Sequence, residues 1–171
     1  MKLYTSKVPT IAQEVIQTLV RDGDIEISDP DEAKLDVEAV LKEYVRLDRE
    51  ITDQAKDVLE QRRLDYGQFG KIKRALAEER GLGLGEEAIT WITTQALETF
   101  MQSAHVEEVF ADDATLRRKV RDILKKHMTV DEELDAEVRR RIKNLQEGTQ
   151  AWDLEYAKAM EQIRRKHGIQ E

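Results

Sequence analysis

The chain carries one apolar pattern twice, in the same order, and nothing else in the sequence constrains its fold as strongly. Val8, Ile11, Val15, Ile16, Leu19 and Val20 fall on Ile89, Ile92, Ala96, Leu97, Phe100 and Met101 at one constant offset. Further on, "VEAVLKEYVRLDREI" (37–51) lies over "VRDILKKHMTVDEEL" (120–134), placing Asp48 on Asp131 and Ile51 on Leu134. Last, "FGKIKRALAEERG" (69–81) lies over "YAKAMEQIRRKHG" (156–168), with Lys71 on Lys158 and Gly81 on Gly168. The offset drifts between blocks, as short insertions in loops would make it do. A chain built this way reads as two related units, 1–83 and 84–171, joined through the glycines of "ERGLGLGEE" (79–87). Those glycines mark a helix end and a link. They follow no strand and precede no Lys-Ser/Thr pair, so they do not read as a phosphate-binding loop.

The repeated stripes have helical spacing, and the composition agrees. Of the 171 residues, 40% are hydrophobic and 37% charged, with only 8 glycines and 2 prolines to interrupt helices. The expected fold is all-α: two related units of three or four helices packed as a pseudo-two-fold bundle. A unit of about 85 residues is marginal alone, so the two should share apolar surface.

Several helix boundaries are readable. Thr5 or Ser6 is expected to cap the first helix, with Pro9 in its first turn. Asp29, followed by Pro30 and Glu32, reads as the N-cap of the second. From Ala33 a heptad runs through Val37, Tyr44, Ile51 and Val58. Thr129 and Glu132 resemble a capping box, which favours two helices with a tight joint in each unit, near "RLD" in the first and "MTVDEE" in the second. "DYGQFG" (65–70) should end the third helix, and Thr149 should cap a last helix with an apolar face of Trp152, Tyr156, Met160 and Ile163. "DIEIS" and "VEEVF" alternate in polarity but are short, and are read as loop.

The chemistry-bearing candidates are mostly negative. "RDGDIEISDPDE" (21–32) spaces Asp22, Asp24 and Glu26 like the first ligands of a calcium loop. Ile27 stands where that loop needs glycine, and Ala33 where it needs a bidentate carboxylate. The three histidines, His105, His127 and His167, form no metal-binding spacing, and His127 falls on the core stripe in the place of Tyr44. There is no cysteine, so disulfides and thiolate chemistry are excluded. Trp91 and Trp152 read as packing anchors. No metal, no cofactor and no catalytic set is expected. The net charge of −8 argues against general binding to nucleic acids or anionic membranes. No stretch reaches the length of an apolar span, so a cytoplasmic location is expected.

One asymmetry stands out. Arg118, Arg121 and Lys125 share an outer helix face, flanked by Arg117, Lys119 and Lys126, where the first unit has Leu35, Glu38 and Lys42. These three are the expected partner-binding residues. The plain alternative is that they pair with the acidic run "DEELDAE" (131–137). Aromatic residues for base stacking are missing from that face, which favours a protein partner over nucleic acid.

The stretch 106–168 resembles the bacterial domain-of-unknown-function family 507. The likeness is most specific in "EGTQAWDLEYAK", through Gly148, Thr149, Trp152, Asp153, Tyr156 and Lys158. The first unit lacks the tryptophan and carries Tyr66 and Phe69 in that region. The resemblance implies a small helical bacterial protein and carries no activity or catalytic residue. The expectation is therefore a non-enzymatic interaction or scaffold protein whose partner protein is unidentified. The alternative is a nucleic-acid- or ribosome-associated factor using the basic face.

Overall fold

The computed structural model describes residues 2–169 and is helical throughout, apart from one short two-stranded ladder. The elements in order are α1 (Val8–Arg21), β1 (Ile25–Ile27), α2 (Pro30–Arg62), α3 (Phe69–Glu79), α4 (Glu87–Gln102), β2 (Val106–Val109), α5 (Asp113–Arg141) and α6 (Gln150–Lys166). The sequence helix, strand, long helix, shorter helix thus occurs twice. The long helices have 33 and 29 residues, or about 50 and 44 Å at 1.5 Å per residue.

Local chemistry places most boundaries. Asp29 accepts a hydrogen bond from the Glu32 amide at 3.2 Å and Pro30 supplies the first turn of α2. Asp112 does the same for α5 through the Thr115 amide at 2.8 Å. Thr149 caps α6 through the Trp152 amide at 3.2 Å. Each cap satisfies an amide the helix itself leaves open. Thr5 and Ser6, by contrast, do not cap α1. They sit in a 3-10 turn, Thr5–Lys7, and their hydroxyls accept from Arg49 and Arg164 instead. The N-terminal segment is held by tertiary contacts, which compete successfully with a local cap.

The expected joints near residues 46–48 and 128–131 are absent, and α2 and α5 run straight through them. No glycine or proline lies within either helix after its first residue. At the first supposed joint the Thr52 hydroxyl donates back to the Asp48 carbonyl at 2.9 Å, a bond made inside a helix. At the second, Leu124, Met128, Asp131, Leu134 and Val138 form one buried line. Leaving the helix at Thr129 would break that line, so the capping-box spacing there is incidental.

"DIEIS" and "VEEVF" are not plain loop. They pair with each other antiparallel, Ile25 opposite Val109 and Glu26 opposite Glu108, with an irregularity before Ile27. Neither has enough residues to be stable as a strand alone; each supplies the other's hydrogen bonds.

The largest apolar cluster draws on α1, α4, α2 as far as Ile51 and α5 as far as Met128, with Leu3, Ile25, Ala77 and Leu82 at its edges. Val8, Ile11, Leu19, Leu41, Ile92, Leu116 and Met128 are essentially inaccessible to solvent within it. Two satellite clusters lie on the distal halves of the long helices. One joins α2 to α3 through Ala55, Leu59 and Phe69. The other joins α5 to α6 through Leu134, Val138, Trp152, Met160 and Ile163. The apolar face foreseen for the last helix is therefore the one it buries.

Candidate functional site

The basic face on α5 is sorted sharply by its neighbours. Lys119 reaches the ends of α1 and β1, donating to Asp22 at 2.9 Å and Asp24 at 2.5 Å. Those bonds hold the Lys119 ammonium above the usual lysine range, Asp24 contributing more than Asp22. Lys126 donates to Glu14 on α1 at 2.8 Å, and His127 lies 2.5 Å from the other oxygen of the same carboxylate. Burial alone would raise the Glu14 carboxyl; the two bonds outweigh it and hold it below the usual range. Arg117 bonds Asp113 at 2.7 Å and Thr94 at 3.0 Å. Arg118, Arg121 and Lys125 are exposed and have no ion pair among the described residues. A helix presents positions i, i+3 and i+7 on one side, so these three form a single stripe.

The acidic run 131–137 does not neutralise that stripe. Asp131 faces Lys7 at 3.7 Å, Asp135 faces Lys2 at 3.4 Å and Arg139 at 2.8 Å, and Glu137 meets His167 at 3.1 Å. The run instead clamps the N-terminal segment and the end of α6 to α5. The spacing of Asp22, Asp24 and Glu26 likewise assembles no ligand set: the two aspartates converge on Lys119, and Glu26 stands opposite Glu108 in the ladder.

The motif at 148–158 builds the second notable cluster. Gly148 turns at φ +98° against Phe69, whose ring would lie 3.2 Å from an added Cβ. Trp152 stacks on Tyr156 at 4.9 Å between ring centres, with the Arg139 guanidinium 5.1 Å above the indole. Arg139 also grips Glu147 at 2.8 Å. Asp153 pairs with Lys56 of α2 at 2.7 Å, and Lys158 with Glu155 at 3.3 Å. The Tyr156 hydroxyl donates to Asp135 and shares a 2.6 Å hydrogen bond with the Tyr4 hydroxyl. Burial, followed by the bond to Asp135, pushes the Tyr156 phenol far above its ordinary value. Burial does the same to Tyr4. Both therefore stay protonated at any physiological pH, suited to donating hydrogen bonds rather than to giving up protons.

Sequence reasoning singled out Tyr156 and Trp152 but not Tyr4 or Lys2, and it saw Asp135 and Arg139 only as members of charged runs. Residues 2 and 135 are brought together only by the tertiary fold, and no periodicity links them.

Six α-helices and one two-stranded ladder among the described residues make this an all-α helical protein. The chain belongs to the family described as protein of unknown function (DUF507), whose model matches residues 1–169. The match runs once through the chain, beyond the 106–168 stretch that carried the sequence resemblance. No curated protein matches the chain. Among the described residues no helix is long and apolar enough to cross a membrane.

Proposed function

We propose that this is a non-enzymatic interaction protein that docks an acidic partner protein on the stripe Arg118, Arg121 and Lys125. One observation supports the reading: three cations have no ion pair among the described residues, on a helix where the flanking Arg117, Lys119 and Lys126 are spent on internal bonds. Long-range attraction needs charges that are not already compensated. The surroundings favour a protein over a nucleic acid. Glu86 and Glu87 stand beside Arg121 and Lys125 around a cleft of about 360 Å³. A phosphate backbone entering there meets like charge, whereas a protein surface can match both signs. In the same reading the chain is a doubled unit, 1–83 and 84–171, related by a pseudo-two-fold near the β1–β2 ladder, and it works in the cytoplasm of a bacterium.

The test is charge reversal, Arg118→Glu with Arg121→Glu and Lys125→Glu. Immobilised wild-type protein is expected to retain a reproducible partner from bacterial lysate that the triple variant, with unchanged circular dichroism, does not retain. Equal retention by both refutes the stripe. Salt-sensitive RNA binding lost in the triple variant would instead promote a ribosome-associated role.

A further inference from the structure

Two hydroxyls with cap chemistry stand ahead of α1 and do not cap it. Thr5 and Ser6 are both exposed, in the 3-10 turn Thr5–Lys7. The N-cap position falls to Lys7, which offers no side-chain hydrogen bond, and the first turn of α1 holds no acidic residue. Each hydroxyl instead faces an arginine from another part of the fold. Arg164 of α6 donates to the Ser6 hydroxyl at 3.1 Å, and Arg49 of α2 donates to the Thr5 hydroxyl at 3.5 Å.

Arg164 is under-used where it stands. It makes no ion pair among the described residues, its Nε is buried without a partner, and its guanidinium lies 4.8 Å from the centre of the Tyr4 ring. A guanidinium prefers paired anionic oxygens to one neutral hydroxyl. The carboxylates around it are already matched. Asp131, which also feels Arg164 at longer range, faces Lys7 at 3.7 Å. Asp135 has Lys2 at 3.4 Å and Arg139 at 2.8 Å, and Glu161, one turn back on α6, is taken by Arg165. Arg49 is placed differently. Asp53 stands one turn further along α2 with no cation of its own among the described residues, and at i+4 it is within reach of Arg49. Ser6 is therefore the hydroxyl at which added negative charge gains most.

We propose that Ser6 is a phosphorylation site, its phosphoryl group held by Arg164 against the start of α1. A serine kinase acting in trans joins the Ser6 oxygen to the γ-phosphorus of ATP. The bond from that phosphorus to the bridging oxygen breaks, ADP leaves, and the hydroxyl proton passes to the base of the kinase. The product carries close to two negative charges and three acceptor oxygens. They meet a guanidinium with unused donors and the positive end of a helix that lacks a side-chain cap. Access is open: Ser6 faces solvent, and the amides of Lys7 and Val8, bonded to the Tyr4 and Thr5 carbonyls, close its turn. The group pins the N-terminal segment to α6, whatever binds the α5 stripe.

The test uses the full chain with phosphoserine encoded at position 6, beside the unmodified chain and the phosphorylated chain carrying Arg164→Gln. Followed by phosphorus NMR, the second ionisation of the phosphoserine, about 6 in a free peptide, should fall to about 5 and return towards the peptide value in Arg164→Gln. The phosphorylated chain should also melt about 3 °C above the unmodified one at low salt, an advantage that Arg164→Lys keeps in part and Arg164→Gln removes. An ionisation equal to that of a phosphopeptide of residues 1–10, a lower melt, or a shift that survives Arg164→Gln overturns the proposal. Whether a kinase reaches Ser6 is read by mass spectrometry of the unmodified chain after incubation with ATP and an extract of the cells that make it. One phosphoryl group on Ser6, absent from Ser6→Ala, is expected; none, or groups only elsewhere, refutes the modification. If millimolar inorganic phosphate alone shifts the Thr5 and Ser6 amides saturably while Ser6 stays unmodified, Arg164 holds a free anion and the modification falls.

Discussion

Asp131 and Asp135 stand one helical turn apart on α5 and answer oppositely to their surroundings. Asp131 is wholly inaccessible and neither oxygen receives a side-chain hydrogen bond; Lys7, at 3.7 Å, is the nearest cation. Burial raises its carboxyl, and Lys7, Arg164 and His127 offset this only in part. A raised folded pKa means that the native state binds the proton more readily than the unfolded chain. The penalty is therefore complete above the raised value and disappears as pH falls below the ordinary carboxylate value. Asp131→Asn should stabilise the protein at neutral pH by about 1 kcal/mol, an advantage that vanishes in acid; thermal melts across pH measure it. For Asp135 burial also pushes upward, but Lys2, Tyr156 and Arg139 more than reverse it and hold the carboxyl low. Its contribution is present above the ordinary carboxylate value and lost as pH falls through the depressed one. Asp135→Asn should cost about 2 kcal/mol at neutral pH, the usual scale for hydrogen bonds to a charged group.

At the scale of the element, the continuity of α5 has a direct test. Thr129→Pro removes an internal amide and clashes with the preceding turn, so it should cost about 3 kcal/mol or more in urea unfolding. A joint at that position would accept proline with little loss. The caps predict smaller effects: Thr149→Ala should lower stability by about 1 kcal/mol. Gly148→Ala should be worse than an ordinary loop change, because its φ of +98° and the Phe69 ring 3.2 Å from an added Cβ both resist a side chain. Most of these elements were legible beforehand. Asp29 and Thr149 announced themselves as caps, whereas the stop expected at "DYGQFG" falls earlier, at Arg62 with a left-handed Arg63, and Phe69 already opens α3. The caps that failed share one cause. Thr5, Ser6 and Thr129 carry cap chemistry, yet their backbones are set by distant groups: the clamped N-terminal segment in the first two, the buried line through Met128 in the third.

At the scale of the molecule, the central cluster takes side chains from both halves of the chain, including Ile11 and Leu41 from one and Ile92 and Met128 from the other. Neither half can lose its packing without exposing the other, so urea unfolding should be a single cooperative transition with coincident fluorescence and circular dichroism. Two well-separated transitions would contradict this shared core. Ile92→Ala, at a position 1% exposed, should lower the single transition by about 3 kcal/mol rather than unfold one half selectively. The satellite clusters are tied across the molecule by Lys56–Asp153 and by Gly148 against Phe69, which also opposes independent unfolding of α6.

The sequence by itself determined the helical character of the chain, the apolar faces and several of the helix ends, but not that α2 and α5 run unbroken. Helical periodicity and capping are local, and the side chains that impose them lie within a few residues of what they fix. It also pointed to Arg118, Arg121 and Lys125, because they share one side of a single helix. The tertiary structure alone decided that these three remain free while Lys119 and Lys126 do not, that two short segments pair as a ladder, and that Lys2 and Tyr4 close on Asp135 and Tyr156. Each depends on groups tens of residues apart meeting in space, and only burial of the shared core brings them there.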